Sequence, residues 1–187
     1  MVRRHGGPSP RVRGSSVGGL GGSRFRVGAT GHRAFDDVDR VSAELAAVLD
    51  RVCADRDPAG LEVWSPLAEG ADRLVASGLI ERGATLIAVL PLPPDEYRLD
   101  FETAESQAEF DHLLGLAQTI RVVEPVESSR DAAYETAGLA VLDAVDVLVA
   151  IWDGEQARGR GGTADIVDEA RRRGREVIVV PVTRDNV

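Results

Sequence analysis

Glycines stand next to hydroxyl and basic side chains early in the apolar part of the chain, in the segment Gly28-Ala29-Thr30-Gly31-His32-Arg33. The glycines let the backbone turn tightly and approach a ligand, while Thr30, His32 and Arg33 offer hydrogen-bond donors. This combination suits a phosphate group. The segment lacks the GxGxxG spacing of dinucleotide-binding turns, so an ordinary strand-to-helix connection is the alternative interpretation.

A second segment, Glu69-Gly70-Ala71-Asp72, combines two carboxylates with two small residues. Gly70 and Ala71 leave the start of a predicted helix without bulk, so its unpaired N–H groups stay open to an anion or a ribose. Glu69 and Asp72 would then accept hydrogen bonds from ribose hydroxyls or orient Arg33. Carboxylates in the first turn also stabilise the helix dipole, which is the structural alternative.

The third segment consists of Trp152-Asp153-Gly154 at the end of an apolar run and, a few residues later, Gly161-Gly162-Thr163. The adjacent glycines remove side-chain bulk at the start of a predicted helix, where the helix dipole favours an anion. Thr163 can cap that helix or bond a phosphate oxygen. A flexible loop with an ordinary threonine cap is the alternative.

Apolar periodicity predicts alternating strands and helices. The predicted strands are residues 25–29, 61–64, 84–90, 119–123, 146–152 and 176–182, and the predicted helices are residues 38–53, 68–82, 105–117, 132–144 and 163–173. This alternation is typical of the α/β class and predicts a Rossmann-like three-layer α/β/α sandwich with a mostly parallel sheet. Because such sheets bind ligands at the carboxyl ends of their strands, the three segments are expected to converge on one edge.

The composition indicates one core of ordinary size and a start of different character. The chain has 187 residues, 43% of them hydrophobic, and a net charge of −9 from 22 basic and 31 acidic residues. Residues 1–23 contain mostly Gly, Ser, Pro and Arg, so they are predicted to form a disordered arm before a single domain at residues 24–187. An unselected tail and an arm that weakly touches nucleic acid or a membrane are both open interpretations.

The composition also excludes several kinds of site. Cys53 is the only cysteine and the three histidines lack ligand-like spacing, so no disulfide framework and no metal site are expected. No apolar run approaches the roughly 20 residues of a membrane-spanning helix, and no secretory apolar stretch follows the first arginines. The excess of acid disfavours nucleic acid as a partner of the main domain. A cytoplasmic location is expected.

Aromatic residues outside the three segments have two interpretations each. Tyr97, Asp100 and Phe101 follow a proline-rich strand end, where they would form a lid that stacks on a base. The alternative is that Tyr97 and Phe101 form a hydrophobic anchor for a long loop. Tyr134, at the start of a helix, has the same two interpretations, with the structural one favoured. His112 is expected at the surface and Cys53 in the core.

The three segments together resemble the SLOG superfamily, whose Rossmannoid domains are similar to DNA-processing protein A and to the lysine-decarboxylase-like LOG proteins. The resemblance covers about residues 24–182 and rests on Gly31-His32-Arg33, Glu69-Gly70-Ala71-Asp72, residues 147–154 and Gly161-Gly162-Thr163. It implies a pocket for a nucleotide or nucleotide-derived molecule, formed by residues 28–33, 69–72 and 161–163. It also implies a ligand sensor in a bacterial stress or conflict system.

One branch of that superfamily, the cytokinin-activating phosphoribohydrolases, carries a GGxGTxxE pattern and a catalytic arginine. Here the intervening glycine is missing, and Ile166 stands where that branch has its catalytic glutamate. The sequence therefore favours a non-catalytic binding module, with a hydrolase of nucleotide N-glycosidic or phosphoester bonds as the alternative. In such an enzyme Glu69, Asp72 and Asp153 are the carboxylates placed to act. No cofactor is assigned beyond a nucleotide ligand, and a sensor would act through self-association or a separate effector protein.

Overall fold

The computed structural model describes residues 24–125, 129–156 and 161–183, and the predicted arm at residues 1–23 lies outside these ranges. The described residues form six strands, six α-helices and one short 3₁₀ helix (Pro58–Gly60) before β2. The strands are β1 (Phe25–Gly31), β2 (Leu61–Ser65), β3 (Thr85–Leu90), β4 (Thr119–Val122), β5 (Val147–Trp152) and β6 (Glu176–Pro181). The helices are α1 (Val38–Cys53), α2 (Ala71–Glu81), α3 (Pro94–Arg98), α4 (Ala104–Leu116), α5 (Arg130–Ala144) and α6 (Thr163–Arg172).

All six strands belong to one parallel sheet with the order β4-β3-β2-β1-β5-β6. The predicted Rossmann-like α/β fold is thus confirmed. In β1, Val27 pairs with Val63 of β2 on one side and with Val147 of β5 on the other. The chain adds strands outward from β1 as far as β4, and then returns to the opposite side of β1 for β5 and β6.

Helices cover both faces of the sheet, because right-handed crossovers change face when the direction of strand addition reverses. Successive strand residues point to opposite faces, so Val63 packs in the cluster that includes α1 and α2, whereas Trp64 packs against Val141 of α5. Every residue of β5 is buried. Burial on both faces explains why the central strands are unbroken apolar runs in the sequence.

Capping side chains set the start of three helices. Asp37, Thr103 and Ser129 each accept a hydrogen bond from the N–H group three residues on, at 3.4, 3.1 and 3.2 Å. The serine cap places the start of α5 two residues before the predicted one. α2 starts at Ala71, three residues later than predicted, because residues 66–70 form a tight loop in which Leu67 has a φ of +60°.

The predicted loop after β3 contains α3, which begins at Pro94. Proline is favoured in the first turn of a helix, because its fixed φ suits the helix and its missing N–H group has no intrahelical acceptor there. The prolines that end β3 therefore also start the next helix. In the described part of the chain no helix is long and apolar enough to span a membrane.

Candidate functional site

The carboxyl ends of β1, β2 and β5 lie side by side in the middle of the sheet. The crossovers from β1 and β5 leave on opposite faces of the sheet, and ligands of such folds bind in the crevice at this point of reversal. β1 ends at Gly31, β2 at Ser65 and β5 at Trp152. The residues that directly follow these three ends form the candidate site.

The loop after β2 packs directly on the loop after β1. A Cβ atom on Gly70 would lie 2.3 Å from the carbonyl oxygen of Arg33, and one on Gly31 would lie 2.4 Å from the Cβ atom of Ala71. The Ala71 N–H group donates to the His32 carbonyl oxygen over 3.1 Å. The expectation that the start of α2 stays open to a ligand does not hold at Ala71, because the β1 loop already occupies this N–H group.

His32 and Asp153 contact each other across the strand ends. His32 Nε2 lies 3.0 Å from Asp153 Oδ1 and 3.3 Å from the Asp153 backbone nitrogen. With a proton on Nε2 the ring donates to the carboxylate, and without one it accepts from the backbone N–H group. Asp153 Oδ1 also accepts from the Glu155 N–H group over 2.9 Å. The histidine therefore connects the end of β1 to the end of β5.

Arg33 presents a cation at this edge. Its guanidinium carbon lies 5.3 Å from the centre of the Tyr134 ring. Burial by itself lowers the pKa of Arg33, but the Tyr97 and Tyr134 phenol groups and the Glu69 carboxylate raise it above its ordinary value, so the group stays charged at any working pH. Arg33 forms no salt bridge with any described carboxylate. Its charge is thus available to an anionic group of a ligand.

Asp72 supplies a buried carboxyl group in the first turn of α2. It accepts a hydrogen bond from the Ala68 N–H group over 3.3 Å. Burial raises the pKa of Asp72 to about 7, although the Ala68 N–H group and the guanidinium groups of Arg33 and Arg73 lower it. Both protonation states are therefore populated near neutral pH, so Asp72 can accept or donate a proton there.

Glu69 binds the protein itself, because its carboxylate accepts a hydrogen bond from Ser106 Oγ in the first turn of α4. Arg73, which is 1% exposed, binds the same turn. Its Nη1 lies 2.9 Å from the carbonyl oxygen and Oγ of Ser106 and 2.8 Å from Glu109 Oε2. Its Nε donates to the Leu67 carbonyl oxygen over 3.1 Å. These bonds fasten the loop after β2 to α4.

Tyr97 and Phe101 are buried in an aromatic cluster with Phe110. The ring centres of the three residues lie 5.0 to 5.5 Å apart. The guanidinium carbon of Arg73 lies 4.3 Å from the centre of the Phe101 ring. Of the two interpretations of this segment, the hydrophobic anchor is confirmed. The Tyr97 hydroxyl is enclosed and has no hydrogen-bond partner among the described residues, and burial raises its pKa.

β1 runs two residues further than predicted, which places part of the first segment inside the sheet. Gly28 and Thr30 both pair with β5. A Cβ atom on Gly28 would lie 3.0 Å from side-chain atoms of Val141 and Val145, so this glycine allows α5 to pack closely on the strand. Of that segment, only Gly31 and the two residues after it reach the carboxyl edge.

The first part of the third segment belongs mainly to the core. Trp152 is 7% exposed and packs under α6, and its Nε1 donates to the Glu155 carbonyl oxygen over 3.0 Å. Gly154 turns the chain away from β5 with a φ of +81°. Asp153, between them, is the side chain of this part that reaches the site. Residues 157–160, which follow this turn, lie outside the described residues.

The second part of the third segment forms the start of α6. Gly162 is the N-cap residue, and within the described part of the chain no side chain forms a capping hydrogen bond to this helix. Thr163 is therefore the first helical residue and not the cap. Asp165 Oδ2 accepts from the Gly161 N–H group over 3.1 Å. A Cβ atom on Gly161 would lie 2.9 Å from the Cα atom of Glu135, so this turn packs against α5.

An ion-pair network that the sequence does not predict joins α3 and α5 beside the site. Arg130 Nη1 lies 2.6 and 2.8 Å from the two carboxylate oxygens of Asp100, and the Tyr134 hydroxyl donates to the same carboxylate. Arg130 Nη2 also donates to Glu96 over 3.3 Å. Arg130 and Tyr134 have the i, i+4 spacing of one helix face, which the sequence shows. Their acidic partners depend on the position of α3, a segment that the sequence predicts to be a loop.

Comparisons with known proteins relate the fold to solved structures. No protein-family model and no curated protein matches the chain. The chain is similar to DNA processing protein A from Streptococcus pneumoniae, with a TM-score of 0.58 and 17% identity over 84% of this chain and 50% of that one. It is also similar to DNA processing protein A from Helicobacter pylori, with a TM-score of 0.55 and 13% identity over 84% and 65% of the two chains. The chain thus spans half to about two thirds of those proteins.

A further similar structure is the Moco carrier protein from Chlamydomonas reinhardtii, with a TM-score of 0.48 and 18% identity over 84% of this chain and 76% of that one. At the identities found for the two bacterial proteins, the likeness is one of fold. It confirms the Rossmann-like α/β fold that the alternation of strands and helices predicted. Within the described residues no group of three or more His, Cys, Asp or Glu side chains could hold a metal ion.

Proposed function

We propose that this chain binds a nucleotide or a nucleotide-derived small molecule at the carboxyl edge of β1, β2 and β5, with Arg33 holding its anionic group. The proposal rests on the charge and the contacts of Arg33. It is a permanent cation, no described carboxylate forms a salt bridge with it, and it follows a strand end where two backbones meet at glycines. A phosphate group would satisfy this charge through charge-assisted hydrogen bonds.

The surroundings of Arg33 support a ligand larger than phosphate alone. Nucleotides bind α/β sheets where the strand order reverses, which in this sheet is between β1 and β5. Asp72 adds a polar group that can bind a ribose hydroxyl or a base. The resemblance of the three segments to the SLOG superfamily supports a module that senses or sequesters this ligand in a bacterial stress or conflict system. In that role the output would pass through a separate effector protein or a second copy of the chain.

A ligand panel in a thermal-shift assay tests the proposal, using AMP, ADP, NAD, cyclic AMP and a single-stranded oligonucleotide. The oligonucleotide is included because one similar structure concerns the single-stranded DNA binding mode of its protein. At about 100 times its dissociation constant, a ligand of the native state adds roughly 2.7 kcal/mol to the free energy of unfolding. At least one small nucleotide is therefore expected to raise the melting temperature. A shift with the oligonucleotide alone would replace the proposed ligand class by nucleic acid.

Three variants locate the binding site. Arg33→Ala is expected to weaken binding by about 1.5 to 3 kcal/mol, which is roughly 10- to 100-fold, because a hydrogen bond to a charged group is lost. Arg175→Ala removes the same charge before β6, at the amino edge of the sheet, and is expected to leave affinity unchanged. Gly162→Val should also remove binding, because its side chain would cover the start of α6. Equal losses in the two arginine variants would contradict a specific role of Arg33.

Asp72 favours one second candidate function, a hydrolase acting on the N-glycosidic or phosphoester bond of a nucleotide. A buried carboxyl group with a pKa of about 7 has the properties of a general acid or base at neutral pH. The test is release of free base or phosphate from nucleoside monophosphates by wild type and Asp72→Asn. Release that the substitution abolishes would establish the hydrolase. No release from a wild type that binds nucleotide would support the binding module.

A further inference from the structure

We infer that Tyr134 is a positioning residue that holds Arg33 ready for the anionic group of the ligand. This inference rests on the proposed function, because it concerns the same group of the same site. Tyr134 lies in the first turns of α5, and Arg33 lies in the loop that follows β1. Its ring faces the guanidinium group, whose carbon atom lies 5.3 Å from the ring centre.

Asp100 and Arg130 hold the Tyr134 side chain in place. Its hydroxyl donates to the carboxylate of Asp100, in the segment between α3 and α4. Arg130, one helical turn before Tyr134, binds both oxygens of that carboxylate at 2.6 and 2.8 Å. The Asp100 side chain is 15% exposed, so this acceptor is largely withdrawn from water. Arg130, Asp100 and Tyr134 thus form a continuous support that ends at Arg33.

This support reduces the loss of side-chain freedom that Arg33 would undergo when a ligand binds. An arginine on an exposed loop has many rotamers, and fixing them when a ligand binds costs affinity. A ring that attracts the guanidinium group before binding restricts those rotamers, so less freedom is lost on binding. No described carboxylate forms a salt bridge with Arg33, so the ring restrains the cation without neutralising it. The charge therefore stays in place and stays available.

The experiment is a double-mutant cycle on affinity, measured by isothermal titration with the panel nucleotide that gives the largest thermal shift. Tyr134→Ala is expected to weaken binding about 3- to 10-fold in the wild-type background, which corresponds to one mobile side chain. In the Arg33→Ala background it is expected to change affinity less than twofold. Tyr134→Phe keeps the ring but loses the hydroxyl bond to Asp100, so its affinity is expected to lie between those of the wild type and Tyr134→Ala. The melting temperature of each variant without nucleotide checks that a loss of affinity is not caused by misfolding.

The outcomes separate the inference from the proposed function. If no nucleotide of the panel binds the wild type, the proposed function fails and the inference fails with it. If the wild type binds and Tyr134→Ala has unchanged affinity, the inference alone is overturned. If Tyr134→Ala weakens binding equally with and without Arg33, the ring contacts the ligand directly and does not act through the arginine, which also overturns the inference.

Discussion

His32 and Asp153 are 121 positions apart in the chain, yet Nε2 of the histidine lies 3.0 Å from Oδ1 of the aspartate. The contact lies at the point where the order of the strands reverses, and both side chains are largely buried. It joins the two loops between which a ligand of this fold binds. The two residues therefore fix the distance between the walls of the candidate site.

Replacing His32 with alanine is expected to lower the free energy of unfolding by about 1 to 3 kcal/mol, because it removes a hydrogen-bond partner of a buried carboxylate. Urea denaturation measures the change. His112→Ala is the matched control, since that histidine is exposed on α4 and its loss is expected to change stability by less than about 0.5 kcal/mol. Equal effects of the two substitutions would show that the contact with Asp153 adds no stability.

The stability of the protein is expected to depend on pH through Asp72. Its folded-state pKa of about 7 lies above the ordinary value of 3.8, so the folded state binds this proton more tightly than the unfolded state does. The contribution of Asp72 to stability therefore falls as pH rises from about 4 to about 7, by an amount on the order of 4 kcal/mol. It is constant outside that window.

Asp72→Asn removes the titrating carboxyl group but keeps the shape of the side chain. Near pH 4 the free energy of unfolding of the variant is expected to be equal to or lower than that of the wild type. As pH approaches 7, the variant is expected to become progressively more stable than the wild type. Urea denaturation of both proteins at half-unit steps of pH gives the difference, in which the titration of all other groups cancels. Parallel curves for the two proteins would contradict the raised pKa.

Gly70→Ala is expected to destabilise the protein by about 3 kcal/mol or more, because the new Cβ atom would lie 2.3 Å from the Arg33 carbonyl oxygen. Gly154→Ala is the control. Gly154 has a positive φ of +81°, similar to the +73° of Gly70, but no atom of the described residues lies within 4 Å of its Cβ position. Its substitution is expected to cost only the roughly 1 to 2 kcal/mol of the backbone conformation. Thermal unfolding measures both variants. Equal decreases in melting temperature would contradict the close contact between the loops.

Arg73→Lys is expected to cost about 2 to 4 kcal/mol, although the charge is kept. The Arg73 guanidinium group binds Leu67, Ser106 and Glu109 at once, and a lysine ammonium on a flexible stem cannot reproduce that fork. Arg171→Lys is the comparison, because the Arg171 side chain is exposed. Its guanidinium carbon lies 5.5 Å from the centre of the Trp152 ring. That change is expected to remain within about 0.5 kcal/mol. Chemical denaturation of both variants gives the two values.

The fold was predictable because the information for it is local. The apolar runs of β3 and β5 and the periodic apolar residues of α1 lie within single segments, and each segment predicts its element by itself. The parallel order follows from the alternation of elements, since right-handed crossovers leave few arrangements. The errors at the ends of α2 and α5 arose where a cap or a tight loop, and not periodicity, decides the boundary.

The candidate site was predictable only in outline, because its contacts join distant segments. The sequence placed His32 and Asp153 at strand ends but gave no reason to expect their mutual contact. For Glu69 the sequence leaves open a contact with the ligand or Arg33 and stabilisation of the helix dipole, but it does not indicate the hydrogen bond that Glu69 accepts from Ser106 in α4. Tyr134 was favoured as structural, and its position over Arg33 depends on how α5 crosses the sheet. Spacing along the chain carries no information about such contacts.

The central position of β1 has a consequence for how the protein is made. During synthesis β1, β2, β3 and β4 all leave the ribosome before β5, yet β5 is the partner that covers one whole edge of β1. Until Val147 and the residues after it are available, the nascent sheet exposes the hydrogen-bonding edge of a buried strand, a surface that other chains can pair with. A truncated product that stops before β5 would keep this edge open. The chain would therefore most need a chaperone in the interval of synthesis after β4 and before β5. A pause of the ribosome in this interval would prolong that need.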